Sequence, residues 1–445
     1  MMRQRLLRIG WLVVCGTAWI VSPWAIAADQ PSAAARVPAS EILEATGVPG
    51  GLIVHVGCGD GKLTAALCAK DGYIVQGLET DEKQVNSARQ FFASLGADGK
   101  VTAEWFDGQH LPYLDNYVNL LVGEKPAALS GEEILRVLVP GGVAYLRQGS
   151  GWEKTVKPAR KDTDEWTHYL HDSTGNAVAH DTVVSPPKHL QWVAAPEWSR
   201  THAHMGSMMG LVSARGRVFA IADEGSVAYP NGPANWSLCA RDAYNGVLLW
   251  RIPIQRYQDH MWPLKNGPAQ LPRRLVAEGD RVYATLDING PVSAVEAATG
   301  NVVYSCKAST GTEEIIFSDG VLFLLVNPKR LQGDPPEPVV SNKAVASKTY
   351  GEYPKVIMAV EAATGKVLWQ HATPVLPMTL AADGRRVYFH NGEKICGLDR
   401  KTGSPLWSSP PVAHVRPIVA NCSPTLIVYQ DVVVFTGGGE GGKKS

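Results

Sequence analysis

Neither sign of charge predominates in this sequence, because 42 Lys and Arg balance 42 Asp and Glu over 445 residues. A global basic field that would attract nucleic acid is therefore absent, and no nucleic-acid partner is expected. The seven cysteines include no CxxC, no CxxCH and no adjacent pair. Zinc-ribbon, c-type haem and thioredoxin chemistry therefore have no support. A disulfide in an oxidising compartment stays open, and the sequence does not choose its partners.

Long apolar runs are also missing. The longest apolar stretch near the N-terminus, Ile9 to Val21, is shorter than the ~20 residues that a spanning helix needs. Three arginines precede this stretch, and a small-x-small sequence, Ala25-Ile26-Ala27, follows it. The pattern predicts a signal peptide over residues 1–27, with an uncleaved membrane anchor as the alternative. We expect an exported protein of the periplasm or cell envelope, with no membrane span after signal cleavage.

Residues 40–150 alternate short apolar strands with stretches of helical spacing. Strands separated by helices pair in parallel, with helices on both faces of the sheet. The pattern predicts a doubly wound α/β, Rossmann-like domain whose sheet stops near Gly149 after five strands. The strands are expected at Leu52–Val56, Tyr73–Leu78, Val101–Trp105, Val118–Val122 and Val143–Arg147, and the helices at Lys62–Lys70, Glu82–Leu95 and Gly131–Leu138.

A glycine loop follows the first predicted strand. Gly57, Gly59 and Gly61 would allow a tight turn and a close approach of a ligand to the backbone, with the next helix just behind. Glu79 ends the second predicted strand, where a carboxylate can accept hydrogen bonds from ribose hydroxyls. The combination of strand, glycine loop, helix and acid indicates a ligand of the adenosine type.

Four successive segments, VHVGCGDGKLTAAL, GLETDEKQVNSAR, FDGQHLPYLDNYVNLLV and RVLVPGGVAYL, resemble the ordered motifs of class I methyltransferases that depend on S-adenosyl-L-methionine (SAM). The resemblance implies that Gly57, Gly59 and Gly61 wrap the methionine part of SAM. It further implies that Glu79 holds the ribose and that Asp107 contacts the adenine.

The segment departs from the family pattern at three points. His55 stands where the family usually has an acid, and Asn119 replaces the acid of the fourth strand. No Asn-Pro-Pro-Tyr-like motif follows that strand, so no residue is assigned to catalysis and the methyl acceptor stays unknown. SAM is a cytosolic metabolite, whereas the predicted signal directs the chain across a membrane, and the sequence does not reconcile the two.

Residues 151–207 mix charges, prolines and aromatic residues without a steady period, which is typical of a linker. Histidines are frequent here and could suggest a metal site, since neutral imidazole is a common ligand. No carboxylate or cysteine completes a recognisable ligand set in the sequence. We therefore expect no metal, and a linker that packs its aromatic residues and hydrogen-bonds its histidines against the two domains. The histidines considered are His168, His171, His180, His202 and His204.

Residues 208–445 contain a repeated unit, the signature of a repeat architecture. Its copies CARDAYNGVLLW, SAVEAATGNVVY, MAVEAATGKVLW and CGLDRKTGSPLW carry turn glycines at Gly246, Gly300, Gly365 and Gly403. The unit resembles the docking motif of PQQ-type β-propellers, which implies an all-β propeller with four strands to a blade. The copies account for about four blades and a partial one, so the propeller is expected to be incomplete unless the segment near Leu190 closes the ring. The closing Trp or Tyr of each copy is expected to pack between neighbouring blades.

Dehydrogenases that hold PQQ add a vicinal cysteine pair and a set of calcium-binding acids, and neither is evident here, so PQQ is not expected as a cofactor. Three functions stay open. The favoured one is a SAM-dependent methyltransferase with an accessory propeller. The second is a non-catalytic binding or scaffold protein whose propeller recognises a protein partner. The third, a PQQ-dependent dehydrogenase, has the least support.

Overall fold

The computed structural model describes residues 33–97, 99–123, 129–148, 151–195, 208–228, 233–254, 257, 271–328, 354–414 and 424–437. The predicted signal peptide lies outside these residues, as do His202 and His204. Within the described ranges, no helix has the length and apolar character needed to cross a membrane. The five cysteines described, Cys58, Cys68, Cys239, Cys306 and Cys396, are all free thiols.

The first domain is a six-stranded sheet with helices on its faces, which confirms the α/β prediction. The strand order is β3-β2-β1-β4-β5-β6, and every neighbouring pair is parallel except β5 and β6. The strands are β1 (Gly51–Val56), β2 (Tyr73–Glu79), β3 (Val101–Trp105), β4 (Val118–Gly123), β5 (Leu138–Gln148) and β6 (Gly151–Val156), and the helices are α1 (Ala33–Thr46), α2 (Lys62–Leu67), α3 (Glu82–Ser94) and α4 (Gly131–Val137).

The sheet is buried on both faces. In β1, Leu52, Val54 and Val56 pack into one apolar cluster, while Ile53 packs into a second cluster on the opposite face. A strand covered by helices on both sides needs apolar residues at every position rather than at alternate ones. This explains why the sequence of β1 is an almost continuous apolar run.

The prediction of five strands is wrong, because β6 adds a sixth strand antiparallel to β5. Most of β6 is exposed, so its sequence lacks the apolar alternation that marks a half-buried strand. Two side chains attach it to the domain. Trp152 stacks on Tyr145 with ring centroids 4.9 Å apart, and Lys154 Nζ donates to the carbonyl oxygens of Ala45 and Thr46 at 2.9 and 3.1 Å.

In the described part of the C-terminal region there are four four-stranded antiparallel sheets and one two-stranded sheet. Each sheet follows the chain order, so that its first strand lies at one edge, and the first strands of successive sheets are neighbours. The strands are β7 (Met208–Ala214), β8 (Arg217–Asp223), β9 (Trp236–Asp242), β10 (Leu248–Pro253), β11 (Leu275–Glu278), β12 (Arg281–Thr285), β13 (Val292–Glu296), β14 (Val302–Ser305), β15 (Thr312–Ser318), β16 (Val321–Val326), β17 (Pro354–Glu361), β18 (Val367–Pro374), β19 (Ala381–Ala382), β20 (Arg386–His390), β21 (Lys394–Asp399), β22 (Pro405–Pro411), β23 (Thr425–Tyr429) and β24 (Val432–Thr436).

The closing aromatic residues of the first three copies join successive repeats, as the sequence predicts, whereas Trp407 of the fourth copy is exposed. The Trp250 ring covers the turn glycine of the next repeat so closely that a Cβ on Gly300 would lie 2.8 Å from it. Its indole N–H donates to the Ala297 carbonyl oxygen in the same turn, at 2.9 Å. A residue without a side chain is therefore required, and φ at Gly300 is +79°, which also favours glycine. The same contact joins Tyr304 to Gly365 and Trp369 to Gly403, and Trp192 makes it with Gly246 of the first repeat.

Part of the predicted linker is built into the repeat region. From Trp166 to Thr174 this segment forms hydrogen bonds with the first strand of each of the five described sheets. One of these bonds is accepted by His168, which confirms the expectation that a linker histidine bonds to a neighbouring domain. The bonds run from Ser213 N–H to the Trp166 carbonyl (2.8 Å), from Ala277 N–H to the Thr167 carbonyl (3.0 Å), from Phe317 N–H to His168 Nε2 (3.0 Å), from Ala382 N–H to the Ser173 carbonyl (2.8 Å) and from Val428 N–H to the Thr174 carbonyl (2.9 Å).

Candidate functional site

The glycine loop between β1 and α2 has the conformation that its sequence requires. Gly57, Gly59 and Gly61 all have positive φ, at 75°, 52° and 81°. Side chains rarely adopt this region of backbone space, so each of the three positions favours glycine. The amides of Gly57 and Cys58 both donate to the Leu78 carbonyl oxygen, at 2.8 and 3.2 Å. The loop is thereby fixed against the end of β2.

Space beside the loop differs from one glycine to the next. A Cβ on Gly59 would meet only the Gln84 side-chain oxygen, at 3.4 Å, whereas a Cβ on Gly61 would lie 2.7 Å from the Phe92 ring. Gly61 therefore permits close packing of the loop against α3, and Gly59 leaves open space beside the loop. Cys58 is a packing residue, since burial and the nearby Glu79 carboxylate raise the pKa of its thiol to about 12.

Glu79 ends β2 with its carboxylate directed at the glycine loop. One carboxylate oxygen accepts the Gly59 N–H at 3.0 Å, and the other accepts the Thr80 N–H at 2.8 Å. The acid is therefore held beside the loop by backbone donors on both sides. The structure brings Glu79 together with the three glycines at the carboxyl edge of the sheet.

Asp107 follows β3 and lies at the same edge of the sheet as Glu79. The two strand ends are adjacent there, since the Phe106 N–H donates to the Glu79 carbonyl oxygen at 3.1 Å. The Asp107 carboxylate accepts the N–H groups of His110 and Gln109, both at 2.7 Å, and lies 2.8 Å from the His110 ring nitrogen Nδ1. These bonds, the backbone N–H of His110 foremost, lower the pKa of Asp107 to about 2. The side chain is a preorganised, half-exposed anion at neutral pH.

His55, the first departure from the family pattern, is buried in β1 below the loop. Its Nδ1 shares a 2.8 Å hydrogen bond with the Thr64 hydroxyl, and its Nε2 is buried without a hydrogen-bond partner. Burial lowers the pKa of His55 to about 4, so the ring is neutral at pH 7. A neutral imidazole therefore occupies the place of a carboxylate.

Asn119, the second departure, lies near the opposite end of the sheet and joins the two domains. Its Nδ2 donates to Asp242 Oδ2 at 2.6 Å, and its Oδ1 accepts the Leu52 N–H at 2.8 Å and the Asn245 Nδ2 at 2.7 Å. Asn245 also donates to the Tyr117 carbonyl oxygen at 2.9 Å. Sequence reasoning treats Asn119 as a lost acid of the site, but the structure makes it the centre of a domain junction, since Asp242 and Asn245 belong to the turn of the first repeat.

Sequence reasoning also misses a cluster in the predicted linker. Asp164, His171 and His180 each present a ligand-type atom, and these atoms lie within 4.8 Å of one another. The expectation that no carboxylate completes the histidine set is therefore wrong. The spacing of the three residues matches no sequence motif, and the chain turns at His171, where φ is +67°.

The geometry thus defines a two-part chain: an α/β domain with a nucleotide-type loop, and a domain of repeated antiparallel sheets. Comparison with known families agrees. A model described as "Methyltransferase domain" matches residues 54–146, and a model of PQQ-type repeats described as "Outer membrane protein assembly factor BamB" matches residues 234–443. The chain therefore contains a methyltransferase domain followed by a BamB-like domain of PQQ-type repeats.

The individual relatives named here are methyltransferases that match part of the chain. Methyltransferase GfsG of Streptomyces halstedii is 32% identical over 96 residues, which cover 20% of this chain and 34% of GfsG. An O-methyltransferase of Pyrenophora dematioidea is 30% identical over 103 residues, which cover 21% of this chain and 37% of that protein. The chain therefore spans about a third of the length of these relatives. Among solved structures, the geranyl diphosphate C-methyltransferase of Streptomyces coelicolor is 19% identical, with 25% of this chain and 43% of that chain covered and a TM-score of 0.23.

Proposed function

We propose that the chain is an exported methyltransferase that takes its methyl group from SAM and passes it to an acceptor still to be identified. The observation that carries the proposal is the glycine loop, where three glycines at positive φ face a carboxylate, Glu79, that is bonded to the loop itself. The match of residues 54–146 to a methyltransferase domain supports it. SAM would supply an activated methyl group at this loop.

Each residue at the carboxyl edge has a role in this proposal. Gly57, Gly59 and Gly61 allow the methionine part of SAM to approach the backbone. Glu79 accepts hydrogen bonds from the ribose hydroxyls, because each carboxylate oxygen keeps acceptor capacity beyond its one backbone hydrogen bond. Asp107, ionised and fixed by three hydrogen bonds, accepts from the adenine amino group. The shared position of these residues at one edge of the sheet and their acceptor chemistry support the proposal.

The repeat region is proposed to be a propeller whose sheets are blades. The docking of Trp250, Tyr304 and Trp369 on the next turn glycine supports this arrangement, since it repeats with the same geometry from sheet to sheet. The junction at Asn119 lies near the amino end of the α/β sheet, away from the glycine loop. The propeller would thus leave the SAM edge accessible and offer its own surface to a protein partner.

A non-catalytic scaffold is the second candidate function. It is favoured by His55, which places a neutral, buried imidazole where the family usually has an acid. In that case the α/β domain would keep the fold without productive SAM binding, and both domains would serve recognition. The two candidates differ in whether the folded chain binds SAM.

Calorimetric titration of SAM and S-adenosylhomocysteine into the purified chain tests the proposal. We expect micromolar binding, about −8 kcal/mol, weakened about tenfold or more by Glu79→Ala because that change removes the ribose acceptor. Glu104→Ala is the matched control, since Glu104 is an exposed acid of β3 paired with Arg89 at 2.8 Å. Wild-type affinity in the control and weakened binding in Glu79→Ala would support a working pocket.

A folded chain that takes up neither ligand would favour the scaffold instead. Reduction of an artificial electron acceptor after addition of PQQ and calcium would point to the third function, a dehydrogenase. We expect no such reduction, because the sequence has no vicinal cysteine pair.

A further inference from the structure

The Asp164, His171 and His180 cluster lies where the linker enters the repeat region. Asp164 Oδ2 is 2.8 Å from His171 Nε2, and the same oxygen accepts the backbone N–H of His180 at 2.6 Å. The imidazole rings of His171 and His180 meet edge to face, with centroids 5.1 Å apart. One carboxylate and two imidazoles therefore converge from three points of a short stretch of chain.

One ring nitrogen of His171 has no hydrogen-bond partner in the protein. The residue is only 3% exposed, and its Nδ1 is buried without a hydrogen-bond partner, 3.4 Å from an oxygen of Asp172. If a neutral ring donates its proton from Nε2 to Asp164, the Nδ1 lone pair faces the Asp172 carboxylate. The opposite tautomer places the proton on Nδ1, toward Asp172, and leaves the Nε2 lone pair facing Asp164. In either tautomer a lone pair opposes a carboxylate.

A cation between Nε2 and Asp164 removes this conflict. Ligating histidines commonly direct their second ring nitrogen, protonated, at a carboxylate, which fixes the tautomer and orients the ring. Asp172 stands in that position relative to His171. The Trp166 ring packs edge-on against His171 with centroids 5.3 Å apart and restricts the imidazole further.

We propose that Asp164, His171 and His180 form a binding site for a divalent first-row transition-metal ion such as Zn²⁺. Two imidazole nitrogens and one carboxylate oxygen are a common donor set for such ions, with a fourth position left for water. Ligand atoms around tetrahedral zinc are about 3.3 Å apart. The 2.8 Å separation of Asp164 Oδ2 and His171 Nε2 would therefore open slightly, and wider separations, which are all within 4.8 Å, would close. The exposed His180 can make this movement, and the partly exposed Asp164, 26% accessible at its side chain, leaves the fourth position open to solvent.

The position of the site indicates what the ion would do. Residues 166–174, which bond to the first strand of all five sheets, lie between Asp164 and His180. A metal held by Asp164, His171 and His180 would close this stretch into a clamped loop. The ion would thereby restrain the segment that links the sheets, and its coordination site would remain accessible to an exogenous ligand.

Titration of Zn²⁺ into the chelator-treated full chain tests this inference, with Co²⁺ as a spectroscopic probe. We expect one equivalent of Zn²⁺, a rise in the unfolding temperature on binding, and a visible Co²⁺ absorption band characteristic of mixed nitrogen and oxygen ligands. Asp164→Asn and His180→Gln should each weaken the affinity at least tenfold. His189→Gln is the matched control, because His189 is an exposed histidine of the same linker outside the cluster.

The two exposed ligand positions keep the test independent of folding, since neither substitution removes a buried group. Wild-type affinity in His189→Gln together with loss in the other two variants would establish the site. Stoichiometric binding that persists in Asp164→Asn and His180→Gln would place the ion elsewhere and overturn the assignment. So would a folded wild-type chain that binds no Zn²⁺ or Co²⁺, in which case the three residues form only a hydrogen-bonded contact within the linker.

Discussion

Replacing Asn119 by the aspartate that methyltransferases usually carry at this position should destabilise the protein. Asn119 Nδ2 is the donor in a 2.6 Å hydrogen bond to the Asp242 carboxylate, and both side chains are buried. Asn119→Asp removes that donor and sets a second carboxylate against the first. Burial already raises the pKa of Asp242 with a neutral partner. A charged partner would raise it further.

The cost follows from competition between repulsion and protonation. Two charges about 3 Å apart repel by about 5 kcal/mol at an effective dielectric constant of 20. Taking up one proton at pH 7 costs about 4 kcal/mol for a carboxyl group of ordinary pKa, so the folded variant should hold one proton between the two acids. The unfolded chain releases that proton above its ordinary pKa. The variant should therefore lose about 1.4 kcal/mol of stability for each pH unit from about 4 to 7, and be close to wild type near pH 4.

A charge swap supplies the matched control. In Asn119→Asp/Asp242→Asn, the new aspartate can still accept from Leu52 N–H and Asn245 Nδ2, and the new asparagine can donate to it. Urea unfolding followed by tryptophan fluorescence between pH 4.5 and 8 measures all three chains. The single variant should be less stable than wild type at pH 8, and the swap should recover most of the loss. A single variant as stable as wild type at pH 8, or a swap no better than the single variant, would refute the proposed junction.

Three further outcomes are expected. Trp250→Ala should lower the free energy of unfolding by about 3–5 kcal/mol, and Trp407→Ala by less than about 1 kcal/mol. The reason is that the Trp250 side chain is 9% exposed and the Trp407 side chain 44%. Equal losses in urea unfolding would contradict the docking role of Trp250. The free energy of unfolding should fall as the pH is lowered from 6.5 to 4. Burial lowers the pKa of His55 and His168 to about 4. In this range the unfolded chain therefore takes up protons that the folded chain excludes. The fall should be smaller in His168→Gln, and an unchanged pH profile would count against a neutral buried ring. Gly61→Ala should weaken SAM binding and lower the unfolding temperature, because φ at this position is +81°; normal values for both would show that the loop tolerates a side chain.

The sequence predicts elements well where local pattern and burial agree. The predicted strand Val101–Trp105 coincides with β3, and the predicted helix Glu82–Leu95 differs from α3 by one residue. Prediction from the sequence fails where a strand forms only because it pairs with a neighbouring strand. The polar residues of β6 pair with β5 at an exposed edge, so no apolar period marks them.

Contacts distant in sequence are the other limit. The glycines and Glu79 belong to one local unit, so their juxtaposition could be inferred from the turn that joins strand and helix. Asn119 and Asp242 are separated by more than a hundred residues, and only the docking of two domains brings them together. A residue that looks like a lost site acid in the sequence is, in the structure, part of the contact between the two domains.

The linker also makes contacts that are distant in sequence, and it makes them with several repeats. Trp192 covers Gly246 of the first repeat and donates to the Ala243 carbonyl oxygen at 2.9 Å, as Trp250 does to the repeat that follows. A linker residue therefore makes the contact that a preceding repeat would otherwise make. Because residues 166–174 also bond to the first strands of all five sheets, the linker is a structural component of the repeat region rather than a spacer. Changes in the linker should accordingly be detected as loss of repeat stability, even where they leave the methyltransferase domain intact.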